Sequence, residues 1–160
     1  MEVLMVMVIV AILAGLGVPS FTQFIRQGEL TSRANSVIVA LQLARSEAIS
    51  RGVPVTACPS TDGETCSGTN WADGWIVVTD TSNPGTVDGD EEILRVDSNE
   101  TQITTVDNDD TPDFVRFTGD GLNANDSSVI EMRRPECGTD RARVIEISAT
   151  GRAQVNKADC

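Results

Sequence analysis

Residues 30–54 read "LTSRANSVIVALQLARSEAISRGVP", and the spacing within this stretch decides the fold. Leu30, Ala34, Val37, Leu41, Ala44 and Ala48 recur at alternating steps of four and three residues. That interval lines up one apolar face on an α-helix. Arg26, Arg33, Arg45 and Arg51 fall off the stripe. Glu47 precedes Arg51 by one helical turn, a favourable pairing. Gly52 and Pro54 then close the pattern as a C-terminal stop. The spacing predicts an amphipathic helix from Phe21 to about Ser50.

Upstream of it the chain opens "MEVLMVMVIVAILAGLGVPSF". Glu2 heads a run in which nothing from Val3 to Ile25 is charged. A membrane-spanning helix needs about 20 apolar residues, and the run meets that length. A cleaved signal peptide would place positive charge before the run, whereas the charge here is negative. Pro19 is expected to kink or end a helix. If both segments form one helix, it extends roughly 75 Å at 1.5 Å per residue. No small globular domain needs such a length, so its first half is expected to protrude into a membrane or a partner assembly.

Beyond Gly52 the periodicity changes. Short β-type runs follow: "VPVTAC" (53–58), "GWIVVTD" (74–80), "EILRVD" (92–97), "TQITTV" (101–106), "DFVRFTG" (113–119), "SVIEMR" (128–133), "RVIEIS" (143–148) and "RAQV" (152–155). Several alternate apolar with polar residues, as half-buried strands do. Turn-rich segments such as "SNPGTVDGDEE" (82–92), "DNDDTPD" (107–113) and "GDGLNANDSS" (119–128) separate them. The expected fold is α+β: a long N-terminal helix, apolar then amphipathic, packed on a C-terminal antiparallel β-sheet domain. The boundaries follow: 1–25 apolar helix, 26–52 amphipathic helix, 53–160 β-domain.

The formal net charge is −12, and Lys157 is the single lysine. Such a field repels phosphate backbones unless a local basic patch overrides it. The four cysteines, Cys58, Cys66, Cys137 and Cys160, allow three pairings. They lack zinc-ribbon spacing, and the chain has no histidine to complete a metal site. An exported chain favours disulfides. The sequence-local pairs Cys58–Cys66 and Cys137–Cys160 are expected, each contributing about 2–4 kcal/mol.

The combination of apolar head, amphipathic continuation and β-domain resembles a type IV pilin or a type II secretion pseudopilin. The head "EVLMVMVIVAILAGLGVPSF" is similar to the pilin N-terminal motif, with its opening glutamate and following proline. More narrowly, "LQLARSEAISRGVPVTACPS" (41–60) followed by "DGWIVV" (73–78) resembles the FimT/FimU/GspH minor pilin family. The resemblance implies a structural and assembly subunit with partners among other pilin or pseudopilin subunits and an inner-membrane assembly platform. It implies a single-pass inner-membrane anchor with a periplasmic β-domain, and a place in the initiation or tip complex of a fibre. Glu2 and Pro19 are the assembly residues it marks. In such fibres the glutamate meets a neighbour's N-terminal amine, and pairing lowers the several-kcal/mol cost of a buried carboxylate. The family pattern also places a basic leader, ending in glycine, a few residues before the glutamate. Here Met1 directly precedes Glu2, so a start upstream of Met1 or a shortened chain is expected.

Some FimT-like proteins bind DNA in natural transformation through a C-terminal Gly-Arg-x-Arg motif. Gly151 and Arg152 fit that motif, while Gln154 stands in place of the second arginine. The resemblance makes Arg152 a candidate DNA contact. Arg141, Arg143 and Lys157 are expected to cluster with it, and Arg133 and Arg134 to join them. An enzyme is not expected. Acid–base and nucleophilic sites most often use histidine, and disulfides would leave no thiolate. The carboxylate pairs Asp109–Asp110 and Glu91–Glu92 read as solvated loops. "DGDEE" (88–92) and "DNDDTPD" (107–113) are oxygen-rich but do not match a calcium loop. No cofactor is implied. Of Trp71 and Trp75, one is expected in the core and the other as a lid on the Cys58–Cys66 loop.

Overall fold

A computed structural model describes the backbone of residues 2–89, 91–98, 103–105, 111–135 and 142–159. Within the helix, the side chains of residues 2, 4, 8, 11–20 and 22 fall outside that description. Helix α1 runs unbroken over Glu2–Arg51, 50 residues. Pro19 therefore does not end it. Proline removes one intrahelical hydrogen bond, and the helix continues on both sides. At the other end the Gly52 amide donates to the Ala48 carbonyl. Gly52 itself has a φ of 66°, the left-handed geometry that terminates helices.

Among the described residues eight strands follow: β1 Val55–Pro59, β2 Gly74–Thr79, β3 Ile93–Ser98, β4 Thr104–Thr105, β5 Val115–Phe117, β6 Ser128–Arg133, β7 Ala142–Ile147 and β8 Ala153–Ala158. They correspond to the eight β-type runs of the sequence. The structure divides them between two four-stranded sheets, ordered β3-β2-β1-β5 and β4-β6-β7-β8. Every pairing is antiparallel.

Both sheets pack on one helix. Leu30, Ala34, Val37, Leu41, Ala44 and Ala48 are all buried, and so is Ala40. Around them gather Val55, Ala57, Trp75, Val77, Val115 and Phe117 of the first sheet and Ile130, Met132, Ile145 and Ile147 of the second. Alanines on the helix face let the strands approach its backbone closely. Trp71 and Trp75 both belong to this core, so neither serves as a lid over the disulfide loop. The reason is register: Trp75 shares a face of β2 with Val77, two residues on.

Strands β1 and β2 are buried along their whole length, which means that the centre of the first sheet is covered on both faces, while β3 at its edge stays partly exposed. On the face away from the helix, the Cys58–Cys66 loop comes down near Val96, whose side chain lies against Gly63. Asp80 ties the 80–92 loop over the same face, accepting from the Thr56 hydroxyl and the Gly85 amide.

Arg33 departs from the expectation that it lies off the apolar stripe. Its side chain is only 5 % exposed. It is ion-paired with Asp97 of β3 and donates to the Ala72 carbonyl. A buried guanidinium is tolerated because Asp97 of β3 and the Ala72 carbonyl in the turn before β2 both meet it.

Leu41→Ala should cost about 2–5 kcal/mol of stability, whereas Val39→Ala, about half a turn round on the solvent side, should stay within about 0.5 kcal/mol. Denaturant unfolding of the two variants checks this. Equal losses would mean that the helix face is assigned wrongly.

Candidate functional site

The helix has two halves with different surroundings. In the second half one side is buried, starting at Leu30. In the first half Val3, Met5, Met7, Ile9, Phe21 and Phe24 are exposed, Val3 at 69 % and Phe24 at 73 %. Ordinary solvated helices do not present such a surface. Among the described residues, no helix is long and apolar enough to cross a membrane; the side chains of residues 11–20, the centre of the apolar run, lie outside the description. The Glu2 and Pro19 side chains are likewise outside it, although both residues lie within α1.

Where the helix enters the domain, a collar of polar contacts grips it. Glu29 pairs with Arg134 beyond β6. The Thr31 hydroxyl accepts from Arg143 of β7 at 3.0 Å. Arg33 holds Asp97 of β3. Three neighbouring helix positions thus reach both sheets, and together they set the direction in which the apolar half leaves.

A second grip lies near the far end. Arg45 donates from Nε to the Gly121 carbonyl at 3.0 Å and from a terminal nitrogen to the Thr150 carbonyl at 2.9 Å. It ties the turn after β5 to the turn between β7 and β8. These turns touch each other: a side chain at Gly151 would lie 2.3 Å from the Gly121 carbonyl oxygen, and Gly151 has a φ of 76°. Both observations require glycine there.

The candidate DNA contacts do not come together. Arg152 is exposed at the turn before β8. Arg143 is buried, turned inward to the helix. Lys157 lies opposite Arg143 in the β7–β8 register. Arg152 precedes β8 (Ala153–Ala158) and Lys157 lies near its far end, five residues on, about 17 Å along the strand direction. Arg152 is thereby set apart from Lys157 and Arg143, which are neighbours across β7 and β8. Arg133 is exposed at the end of β6, and Arg134 is paired with Glu29. Arg141 is outside the described residues. At the position of the missing second arginine, Gln154 donates to Glu146.

Cys58 and Cys66 form a disulfide with a Cα–Cα separation of 5.5 Å. Cys137 and Cys160 lie outside the described residues. Within the bridged loop, Asp62 accepts from the Thr65 hydroxyl, the Glu64 and Thr65 amides and the Ser60 hydroxyl. These bonds, the Thr65 hydroxyl first, hold its carboxyl well below the usual range. The 80–92 loop is organised in the same way. Glu91 accepts from the Thr81, Ser82 and Asp88 amides and the Ser82 hydroxyl. Burial pushes the Glu91 carboxyl up, but the hydrogen bonds outweigh it and the net shift is down. Glu91 is therefore not merely solvated, as the sequence suggests. Glu92 pairs with Arg51. Among the described residues no group of acidic, cysteine or histidine side chains is placed to hold a metal ion; residues 107–110 are outside them.

Other organising residues carry no sequence signal. Asn70 accepts from the Ala72 and Thr105 amides and the Thr105 hydroxyl, and donates to the Ile103 carbonyl. Asp80 is fully buried and lies 3.6 Å from Arg116 Nε. An asparagine in "GTNW" and an aspartate ending "IVVTD" look like ordinary turn residues, and only the folded loops supply their partners.

Residues 33–151 match the sequence family described as type II transport protein GspH. No curated protein matches the chain. Among solved structures, the type IV minor pilin FimU of Pseudomonas aeruginosa is similar, at 23 % identity over 83 % of this chain and 92 % of that one, with a TM-score of 0.62. The minor pseudopilin EpsH from the type 2 secretion system of Vibrio cholerae is similar at 12 % identity over 81 % and 97 %, with a TM-score of 0.53. These likenesses show that the fold is the α+β pilin-like one.

Arg45→Ala leaves two carbonyls without their donor, and should destabilise by about 1–3 kcal/mol; thermal melting checks it, and an unchanged midpoint would remove Arg45 from the architecture. Asp62 and Glu91 also predict acid sensitivity. Their folded pKa values lie below the unfolded ones, so their contribution is present above the unfolded carboxylate range and is lost as pH falls through the folded values. Amide exchange should therefore accelerate in residues 60–67 and 81–91 under strong acid before the core opens. Uniform exchange across both loops and core would contradict this.

Proposed function

The chain belongs to the GspH family, a family of minor pilins and pseudopilins of type IV pili or type II secretion systems, and we propose from that membership that it is a structural assembly subunit. The observation that carries the reading is the continuous helix α1, whose second half is packed on two sheets and whose first half exposes large apolar side chains. Such a half-helix has a low-energy place only in a bilayer or among other helices. On this reading the first half anchors the chain as a single inner-membrane span, with the β-domain periplasmic, and then transfers into a fibre. The partners are other pilin-like subunits and the inner-membrane platform that assembles them. A role in the initiation or tip complex follows from the family resemblance.

Glu2 acts here as a register device. A carboxylate at the head of an apolar run is costly to bury alone and tolerable beside an ammonium. Only a neighbour docked at the right height supplies one. Pro19 removes a backbone donor in the middle of the same half. DNA binding is the weaker alternative, because it rests on Arg152 without the support of Arg143 or Lys157.

The full chain should sediment with membranes and resist extraction at alkaline pH. A double substitution of Val6 and Ile9 to aspartate should release it, since a charge within a span is costly, by as much as about 2.5–3.5 kcal/mol at its centre. Recovery of the unsubstituted chain in the soluble fraction would sink the anchored-subunit reading.

A further inference from the structure

Among the described residues the two sheets leave four edge strands, β3 and β5 in the first and β4 and β8 in the second. An unpaired edge is a template for another strand. β4 has only two residues. β5 is closed by the chain that follows it. The Arg116 amide donates to the Asn125 side chain, the Arg116 carbonyl accepts from the Ala124 amide, and the Thr118 amide donates to the Leu122 carbonyl. β3 and β8 remain, six residues each, and among the described residues no strand lies along the outer side of either.

The ladders show which backbone groups face outward. The Ser148 amide donates to the Arg152 carbonyl, and hydrogen-bonded pairs recur at every second residue of an antiparallel ladder. Gln154 and Asn156 therefore bond to β7, while Ala153, Val155 and Lys157 turn their amides and carbonyls to the open side. Beside β2 the Asp80 amide donates to the Pro54 carbonyl and the Thr79 amide to the Glu92 carbonyl. Trp75 and Val77 thus bond to their β3 partners Asp97 and Arg95, and Val96 and Ser98 turn outward. The two edges also carry opposite charge. Residues 152–158 include Arg152 and Lys157 and no acid. Residues 53–118 set fourteen acids against Arg95 and Arg116. Of these, Asp62 and Glu64, both exposed, flank the Gly63 that lies against Val96.

Both edges run the same way. Glu92, before β3, pairs with Arg51 at the top of α1, and Asp97, near the end of β3, pairs with Arg33 lower down. Thr150, before β8, meets Arg45, while Lys157 lies opposite Arg143, which reaches Thr31. β3 and β8 therefore both descend against the direction of α1. They lie on opposite flanks, since Thr31 and Arg33 are about 200° apart round the helix.

We infer that the β3 edge of one copy pairs in parallel with the β8 edge of a second copy, joining the first sheet of one subunit to the second sheet of the next. The inference rests on the proposed assembly role and names a contact of the β-domain. Copies anchored in one membrane hold their helices in the same sense, so two descending strands meet in parallel. Each sheet packs one face on α1, so the joined sheet keeps the helices on one side. Backbone bonds supply the affinity, and the opposite charge of the edges disfavours β3–β3 and β8–β8 pairing. Because the edges differ, the contact is heterologous and repeats from copy to copy.

Full-length Val96→Cys and Asn156→Cys chains test this, co-expressed and treated in membranes with a short thiol-specific bifunctional reagent, the unsubstituted chain giving the baseline. Both positions are exposed. Asn156 takes the face opposite Val155, which packs on the core, so it shares with Val96 the side away from α1. The expected product is a Val96–Asn156 cross-linked dimer, at least several-fold more abundant than either like pair. Leu122→Cys, on the loop that closes β5 and 47 % exposed, should give no product with Asn156→Cys. Adding Lys157→Glu to the Asn156→Cys chain should cut the product several-fold and leave thermal melting in detergent unchanged, because Lys157 is exposed. A dominant like-pair product, or an undiminished yield with Lys157→Glu, would overturn the match of opposite edges. Absence of the Val96–Asn156 product from chains still held in membranes would overturn the inference alone. Absence of the chain from membranes would overturn the assembly reading with it.

Discussion

One helix face has to serve two sheets at once, and the rest of the structure follows from that constraint. Leu30, Ala34, Val37, Ala40, Leu41, Ala44 and Ala48 are the surface on which both sheets pack. The sheets share no strand, so what couples them is the helix and the turns above it. Burying this face offsets the conformational entropy of ordering a β-domain with long loops. Four alanines in the row keep the face shallow enough for strands from two directions.

Polar anchors at either end then fix how the helix sits. Arg33 and Arg45 each cross from the helix to backbone carbonyls in loops far along the chain. Such bonds are modest in net energy but costly to leave unmade. The lower anchors, with Glu29 and Thr31, define the direction in which the apolar half leaves the domain. Asp62, Asp80 and Glu91 turn their carboxylates onto hydroxyls and amides of their own loops and neighbours, so these three negative charges stabilise loop structure.

The exposed apolar half of α1 is unusual for a solvated helix. The chain belongs to the GspH family of minor pilins and pseudopilins.

The sequence by itself determined the helix, its buried face and its stop at Gly52, because helical periodicity is local and a stripe of six positions is hard to mistake. It also located all eight strands and the bond between Cys58 and Cys66, eight residues apart. Only the tertiary structure decided that the strands form two sheets, that Arg33 is buried on Asp97, and that Trp75 faces the helix. It alone parted Arg152 from Arg143 and Lys157, residues the linear sequence places within one short segment. The reason is physical. Which strands pair, and which side of the pleat a residue takes, depends on register across long separations, and a shift of one residue reverses every face. Bridging polar residues such as Asn70, Asp80 and Arg45 are legible only once their partners, tens of residues away in the chain, have been brought to them.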